Sequence, residues 1–220
     1  MTNAVVSLSS MEADSVDSSI VTRQPDPARR VAEAAVDEQL LERWSRRAIS
    51  RQPLAFDMVR SLFEAARWAP SAGNVQPWLF IYATDALLRQ RAHQLLSAQN
   101  RRWAEHAPLL IFVFARRNHP ETGQPLRSAA FDTGAAWFSL ALQAQRLGLV
   151  ARAMGGIHHE RTYRAFGVPE AEFESLIAVA VGFPGDAAGL PEDLAVKEEP
   201  TPRKRQHEFV FNGRYAKQPG

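Results

Sequence analysis

The sequence predicts a mixed domain of helices and strands, of α/β or α+β class. Three observations lead there. Hydrophobic residues make up 45% of the 220, enough to bury a sizeable core. Short continuous apolar runs, WLFIYA at 78–83, LLIFVFA at 109–115 and LIAVAVGF at 176–183, read as buried strands. Helical patterns lie between these runs rather than before or after them all.

In chain order, residues 1–35 are rich in Ser, Ala, Asp, Arg and Pro without sustained periodicity. They are expected to form a disordered leader ahead of a single domain over 36–220. A helix starts near Asp37, with Leu40, Leu41 and Trp44 on one face and Arg46-Arg47 at its end. Asp57 is placed to cap a second helix, whose stripe is Met58, Leu62, Phe63, Ala66 and Ala69. Pro70 stops it, because the residue ahead of a proline disfavours helix. After the 78–83 strand, Asp85 can cap a helix over 86–98.

The 109–115 strand leads into a polar loop at 116–126 and a long helix over 128–147, ended by Gly148. Apolar residues (Phe131, Ala135, Trp137, Phe138, Leu140, Leu142) go nearly all the way round this helix. It is therefore predicted to be buried on most sides, in a domain core or across a subunit interface. A short strand at 149–154, the pair Gly155-Gly156, a helix over 160–166 ended by Gly167 and the 176–183 strand follow. The tail after Pro184 is rich in Pro and charge and carries the basic triplet Arg203-Lys204-Arg205.

Composition removes several function classes. Lys and Arg number 26 against 24 Asp and Glu, a net charge of +2. That near balance, with no basic face interleaved by aromatics, argues against nucleic acid as a partner even with the Arg203–Arg205 triplet. The absence of Cys excludes disulfides, iron–sulfur clusters, thiolate zinc sites and cysteine nucleophiles. No apolar run reaches the roughly 20 residues that span a bilayer. Met1 to Ser19 lacks the basic start and apolar core of a signal peptide. A cytoplasmic protein without a membrane partner is expected. His158 and His159 are adjacent and cannot both face one metal from a regular element, so no metal site is expected.

Three local features could meet one anion-bearing ligand. Arg46-Arg47 present forked donors suited to phosphate or a carbonyl edge, and equally suit a solvated helix end. Ser71 to Gln76 offers a hydroxyl, two amides and backbone N–H groups, and also reads as a plain Gly/Asn turn. Gly155-Gly156 exposes backbone at close range after a strand, as does any tight turn.

The order of these features is more specific than any one of them. RRAIS at 46–50, FEAARWAPSAGNVQPWLF at 63–80, FDTGAAWFSLALQAQRLGL at 131–149, MGGI at 154–157, IAVAVGFP at 177–184 and PRKR at 202–205 follow one another. Together they resemble the FMN-dependent nitroreductase family over about residues 37–215, and the APSxxNxQPW stretch carries the likeness most strongly. The resemblance implies an α+β sandwich, with a central mainly antiparallel sheet wrapped by helices, built as an intertwined homodimer. It implies FMN at the dimer interface, touched by both subunits, and NADH or NADPH as electron donor. It implies a ping-pong passage of electrons to a nitroaromatic, quinone or similar small acceptor. No side-chain acid or base is assigned, because the chemistry belongs to the flavin.

Carried onto this chain, the resemblance implies that Arg46 and Arg47 contact the flavin phosphate, ribityl chain and pyrimidine edge. Pro70, Ser71, Asn74 and Gln76 would pack beside the flavin's polar edge. Gly155 and Gly156 would bring backbone to the ring, and Arg203 and Arg205 would pair with the phosphate. The family's first motif usually reads Arg-Arg-Ser-x-Arg. Here Ala48 stands for the serine and Ser50 for the second arginine, with Arg51 one residue beyond. The other readings of the same fold are a flavin-binding sensor or storage protein without turnover, and a specialised flavin enzyme that oxidises or dehalogenates its substrate.

Overall fold

Every residue of the central apolar run is buried in β2 (Leu109–Arg116), apart from the terminal Arg116. The computed structural model describes residues 30–215. Of the expected leader, residues 30–35 form neither helix nor strand, and the remainder lies outside the described residues. β2 pairs antiparallel with β1 (Trp78–Ala83) on one side and β4 (Phe173–Gly182) on the other. β4 pairs antiparallel with β3 (Val150–Met154), giving the order β1-β2-β4-β3. The strands the sequence predicts are all present. Their antiparallel pairing resolves the class as α+β.

The period of two along β2 divides the core. Leu110, Phe112 and Phe114 face one cluster, while Leu109, Ile111 and Val113 face the other. On the second face pack α2 (Phe56–Arg67) and α5 (Ala129–Arg146), through Val59, Leu62, Ala66, Ala136, Leu140 and Ala144. The first face is covered by α3 (Ala86–His93), α4 (Ala98–Ala104) and α6 (His159–Phe166), with Trp103, Tyr163 and Phe166 in contact with that cluster. Both faces of the sheet are thus closed by helices, which is why its strands read as continuous apolar runs.

Three helix expectations change. The first helix, α1 (Glu38–Glu42), is only five residues long and is capped by Asp37. Trp44, Arg46 and Arg47 therefore lie beyond it in extended chain rather than on its face or end. Asp57 does not cap α2. It sits inside the first turn, and Ala55 holds the cap position without a side-chain bond. The helix expected over 86–98 is two: α3, capped by Asp85, and α4, capped by Ser97. Leu96 is completely buried between them and bridges to Ile157, so tertiary contact breaks the helix there.

The long helix α5 is expected to be buried in a domain core or across a subunit interface, and its own domain covers one stripe of it. Its buried positions, from Ala129 and Asp132 through Thr133, Ala136 and Leu140 to Ala144, form one stripe at helical spacing. Seven residues apart on another face, Phe131 is 83% exposed and Phe138 44%. The helix is therefore not enclosed by its own domain. Phe56 and Trp68, at the two ends of α2, are also exposed aromatics.

After β4 the chain meets the segment that follows α1. Ser50 N donates to Phe183 O at 2.9 Å and Gly185 N to Ala48 O at 2.9 Å. Gly182 makes this crossing possible, since a Cβ there would lie 2.6 Å from Ile49 Cγ2 and 2.7 Å from Pro108 Cδ. Gly182→Ala should cost about 1–3 kcal/mol through overpacking. The expected readout is a lower urea midpoint with unchanged slope. An unchanged midpoint would show that the crossing tolerates a side chain.

Candidate functional site

The extended segment 43–50 is fixed from below by one carboxylate. Glu198, in the turn after α7 (Glu192–Ala195), accepts from Arg47 N at 2.6 Å and Ala48 N at 2.8 Å through Oε1. Its side chain is 1% exposed, and Oε2 lies 3.9 Å from Arg47 Nη1. The backbone of the basic pair is thereby locked and the two side chains part. Arg46 stacks on the Trp44 ring at 5.2 Å. Arg47 turns into a cleft of about 490 Å³.

That cleft is lined by arginines from four parts of the chain: Arg30, Arg43 and Arg47, Arg152 on β3, and Arg203 in the tail, with Trp44 as an aromatic wall. All but Arg47, which faces Glu198, are held by backbone or hydroxyl oxygens. Arg30 Nη1 donates to Arg43 O at 2.5 Å and Leu41 O at 3.4 Å. Arg43 Nη1 donates to Ser45 Oγ at 3.4 Å, and Arg152 Nη1 donates to Ser45 O. Arg203 Nη1 donates to Thr201 O, Thr201 Oγ1 and Pro202 O, each at 3.2 Å.

So many like charges oppose one another. Burial, then Arg203 and Arg43, hold Arg30 below its ordinary pKa. Burial and then Arg203 do the same to Arg43. Burial and then Arg47 lower Arg152, against a smaller opposite effect of Glu198. Guanidinium groups remain charged through such shifts, so positive charge outweighs that of Glu198 and Glu199 at the cleft. Among the described residues, Arg30 Nε in the cleft and Arg46 Nε beside it are buried donors without a hydrogen-bond partner, and Glu198 Oε2 beneath them is a buried acceptor without one. Buried polar atoms are rarely left so, and an anion would answer the excess charge and the two donors.

The 70–76 stretch does not line this cleft. It is a short 3-10 turn at Ala72–Asn74 flanked by Ser71 and Gln76. Gly73, Asn74 and Gln76 have φ of 57°, 55° and 53°. Two of these are non-glycine residues in the left-handed region, a local cost of about 1–2 kcal/mol each. The turn is held by Asp132 on α5, which is 5% exposed. Its Oδ2 accepts from Ala72 N at 3.1 Å and from Ser128 Oγ at 2.9 Å. Much of the stretch's polar capacity is spent internally: Ser71 Oγ accepts from Gln76 N at 3.0 Å, and Gln76 Nε2 donates to Asn74 Oδ1 at 3.2 Å. Pro70, Asn74 and Gln76 remain exposed.

Gly155 and Gly156 are exposed at the end of β3. A Cβ on Gly155 would meet nothing within 4 Å, whereas one on Gly156 would lie 2.7 Å from Asn100 Nδ2 and 2.8 Å from Ser97 Oγ. Gly156 O accepts from Ser97 N and Asn100 Nδ2. Asn100 also accepts from Trp103 Nε1 at 3.4 Å, and Arg152 lies 5.3 Å over the Trp103 ring. A chain of contacts thus joins the glycine turn to the cleft.

Of the residues selected from sequence, Arg47 and Arg203 meet in the cleft, with Arg46 against its Trp44 wall. Arg205 is turned to Glu33, at 2.9 Å. Ala48 is buried and contributes its backbone to Glu198 and Gly185. Arg51 does not stand in for the arginine absent at position 50. It lines a separate depression with Arg89, His93 and His106. Sequence reasoning missed Arg30, Arg43, Arg152 and Glu198. Arg152 carried a usable signal, as the one charge in an apolar strand, and Arg43 sits in the basic run 43–51. Arg30 carried none.

The profile of the Nitroreductase family matches residues 40–183. A crystal structure of an FMN-containing oxidoreductase superposes with a TM-score of 0.83 at 38% identity, covering 89% of this chain and 100% of that one. An uncharacterized 15.4 kDa protein of Mycolicibacterium smegmatis is 36% identical over 51% of this chain and 75% of its own length. A Streptomyces coelicolor protein, provisionally named an NADH dehydrogenase/NAD(P)H nitroreductase, is 28% identical over 59% of this chain and 72% of its own.

Glu198→Ala leaves the Arg47 and Ala48 amides without their acceptor and should cost about 1–3 kcal/mol. Hydrogen exchange should speed at those two amides first. Unchanged protection there would show that Glu198 is not what fixes the basic pair.

Proposed function

The chain belongs to the nitroreductase family, and from that premise we propose that it is an FMN-dependent NAD(P)H oxidoreductase acting as a homodimer. The observation that carries the reading is the cleft lined by five arginines, one of which, Arg30, keeps a buried donor without a partner. A flavin phosphate, with up to two negative charges, fits that donor set in charge and chemistry.

Arg47 and Arg203 would hold the phosphate, with Arg46 and Trp44 along the adjoining chain. Gly155, with open space where a side chain would stand, leaves room for a flat ring to approach backbone. Pro70, Ser71, Asn74 and Gln76 would reach the ring's polar edge from the second protomer. Two observations support that division. The turn does not line its own chain's cleft, and its neighbour α5 exposes Phe131 and Phe138. Exposed aromatics of this kind are enriched in protein interfaces.

FMN, when bound, supplies the two-electron carrier between nicotinamide and acceptor. The protein's part is orientation and charge. Its guanidinium groups favour negative charge gained on reduction. The second protomer, closing on α5, would keep water from the reacting face. Protons come from solvent, since no side-chain acid or base is assigned. Donor and acceptor would use the same pocket in turn, a ping-pong order, with a nitroaromatic or quinone as acceptor class.

The purified protein should be yellow, or take up FMN. It should then oxidise NADH or NADPH with a nitroaromatic or quinone, giving parallel double-reciprocal lines. A colourless protein that ignores added FMN would sink the proposal. FMN uptake without turnover across the acceptor panel would instead favour a sensor or storage role.

Phe131→Asp should convert a dimer to monomer in light scattering and weaken FMN retention together. A dimer of unchanged mass would exclude the Phe131 face as the interface.

A further inference from the structure

We propose that Arg30, on the arm before α1, is a binding residue for a phosphomonoester dianion in the cleft, and that Glu33 on the same arm positions Arg203 by fastening the tail. The proposal takes its ligand from the flavin reading above, while its residues come from the geometry of the arm.

Arg30 is oriented before any ligand arrives. Its two bonds to the carbonyls of Leu41 and Arg43 fix the guanidinium at the cleft wall and leave Nε buried without a partner. It faces Arg43 and Arg203, which oppose its charge. A group held against two like charges and one unmade hydrogen bond is arranged for an anion. Glu199 is the acidic residue among the cleft's lining, against five arginines and Lys197.

Arg203 comes from the other end of the described chain. What brings it across is Glu33, three residues after Arg30. Its Oε2 accepts from Gln206 N at 2.8 Å and its Oε1 from Arg205 Nη1 at 2.9 Å. Arm and tail are thus joined close to the two arginines they carry. Arg205, expected from sequence to meet the phosphate, serves this clasp. Where Ala48 and Ser50 lack the hydroxyl and guanidinium of the usual motif, the cleft has Arg30 and Arg43, both ahead of the RRAIS stretch.

The test compares FMN with riboflavin, which lacks the phosphate, by fluorescence titration of flavin-stripped full-length protein. Wild type should prefer FMN. Arg30→Ala should lose FMN affinity by about tenfold or more, the scale of one charge-assisted hydrogen bond. Its riboflavin affinity should stay near wild type, and Arg30→Lys should recover part of the loss. Glu33→Gln should also weaken FMN selectively, and its effect should vanish in an Arg203→Ala background, as expected for residues acting through one another. Equal losses for both flavins, or no loss at Arg30→Ala, would overturn the proposal. Wild type that takes neither flavin would sink the flavin reading alone. Inorganic phosphate then decides: a thermal shift seen in wild type and lost in Arg30→Ala sustains the anion site, and no shift in wild type ends it.

Discussion

The site depends on a buried carboxylate beneath a crowd of cations. Glu198 has little contact with solvent, and its Oε1 accepts two consecutive backbone amides, Arg47 and Ala48. Its charge opposes the repulsion between Arg47 and Arg152 at the place where the chain must hold them together. The two amides turn a mobile electrostatic compensation into a fixed one, because they tie the carboxylate to backbone rather than to a flexible guanidinium. The tail bearing Glu198 and the segment bearing the arginines are thereby tied together, and that segment is bonded to the chain just after β4, Ser50 to Phe183 and Ala48 to Gly185.

The rest of the fold delivers these pieces. The sheet has a helical layer on each face, so its C-terminal exit at Gly182 has one free direction, across Ile49. β3 contributes Arg152 and then Gly155-Gly156, so cleft and glycine turn share one rigid strand. On the opposite layer, α5 does double duty. One face fills the core, Asp132 holds the 70–76 turn, and another face carries aromatics that its own domain leaves uncovered.

Strands were the most legible part of the sequence. The runs at 78–83, 109–115 and 176–183 are apolar on both faces, as strands between two helical layers are. The expected burial of 78–83 is only partial, since β1 is an edge strand in which Ala83 is buried and Tyr82 exposed. The long helix and its Gly148 stop were legible for the same kind of reason. The break between α3 and α4 was not, because Leu96 is placed by its contact with Ile157 and Ser97 caps a helix that local pattern would continue. At the site, motif order pointed to Arg47 and Arg203, which share the cleft. It could not separate Arg203 from Arg205, whose partner Glu33 lies 172 positions away. Arg30 was hidden most completely, since its surroundings have the composition of a solvated leader, and it is ordered by long-range bonds alone.

The left-handed backbone at Asn74 and Gln76 has an evolutionary corollary. Asparagine and glycine tolerate that conformation, while branched side chains clash with their own carbonyls. The turn is thus narrow in what it accepts even where its side chains face solvent. Sequence drift at 74 should run toward glycine or aspartate and away from valine, isoleucine and threonine. Side-chain variation is then easier elsewhere, at residues whose backbone keeps its shape while the side chain changes.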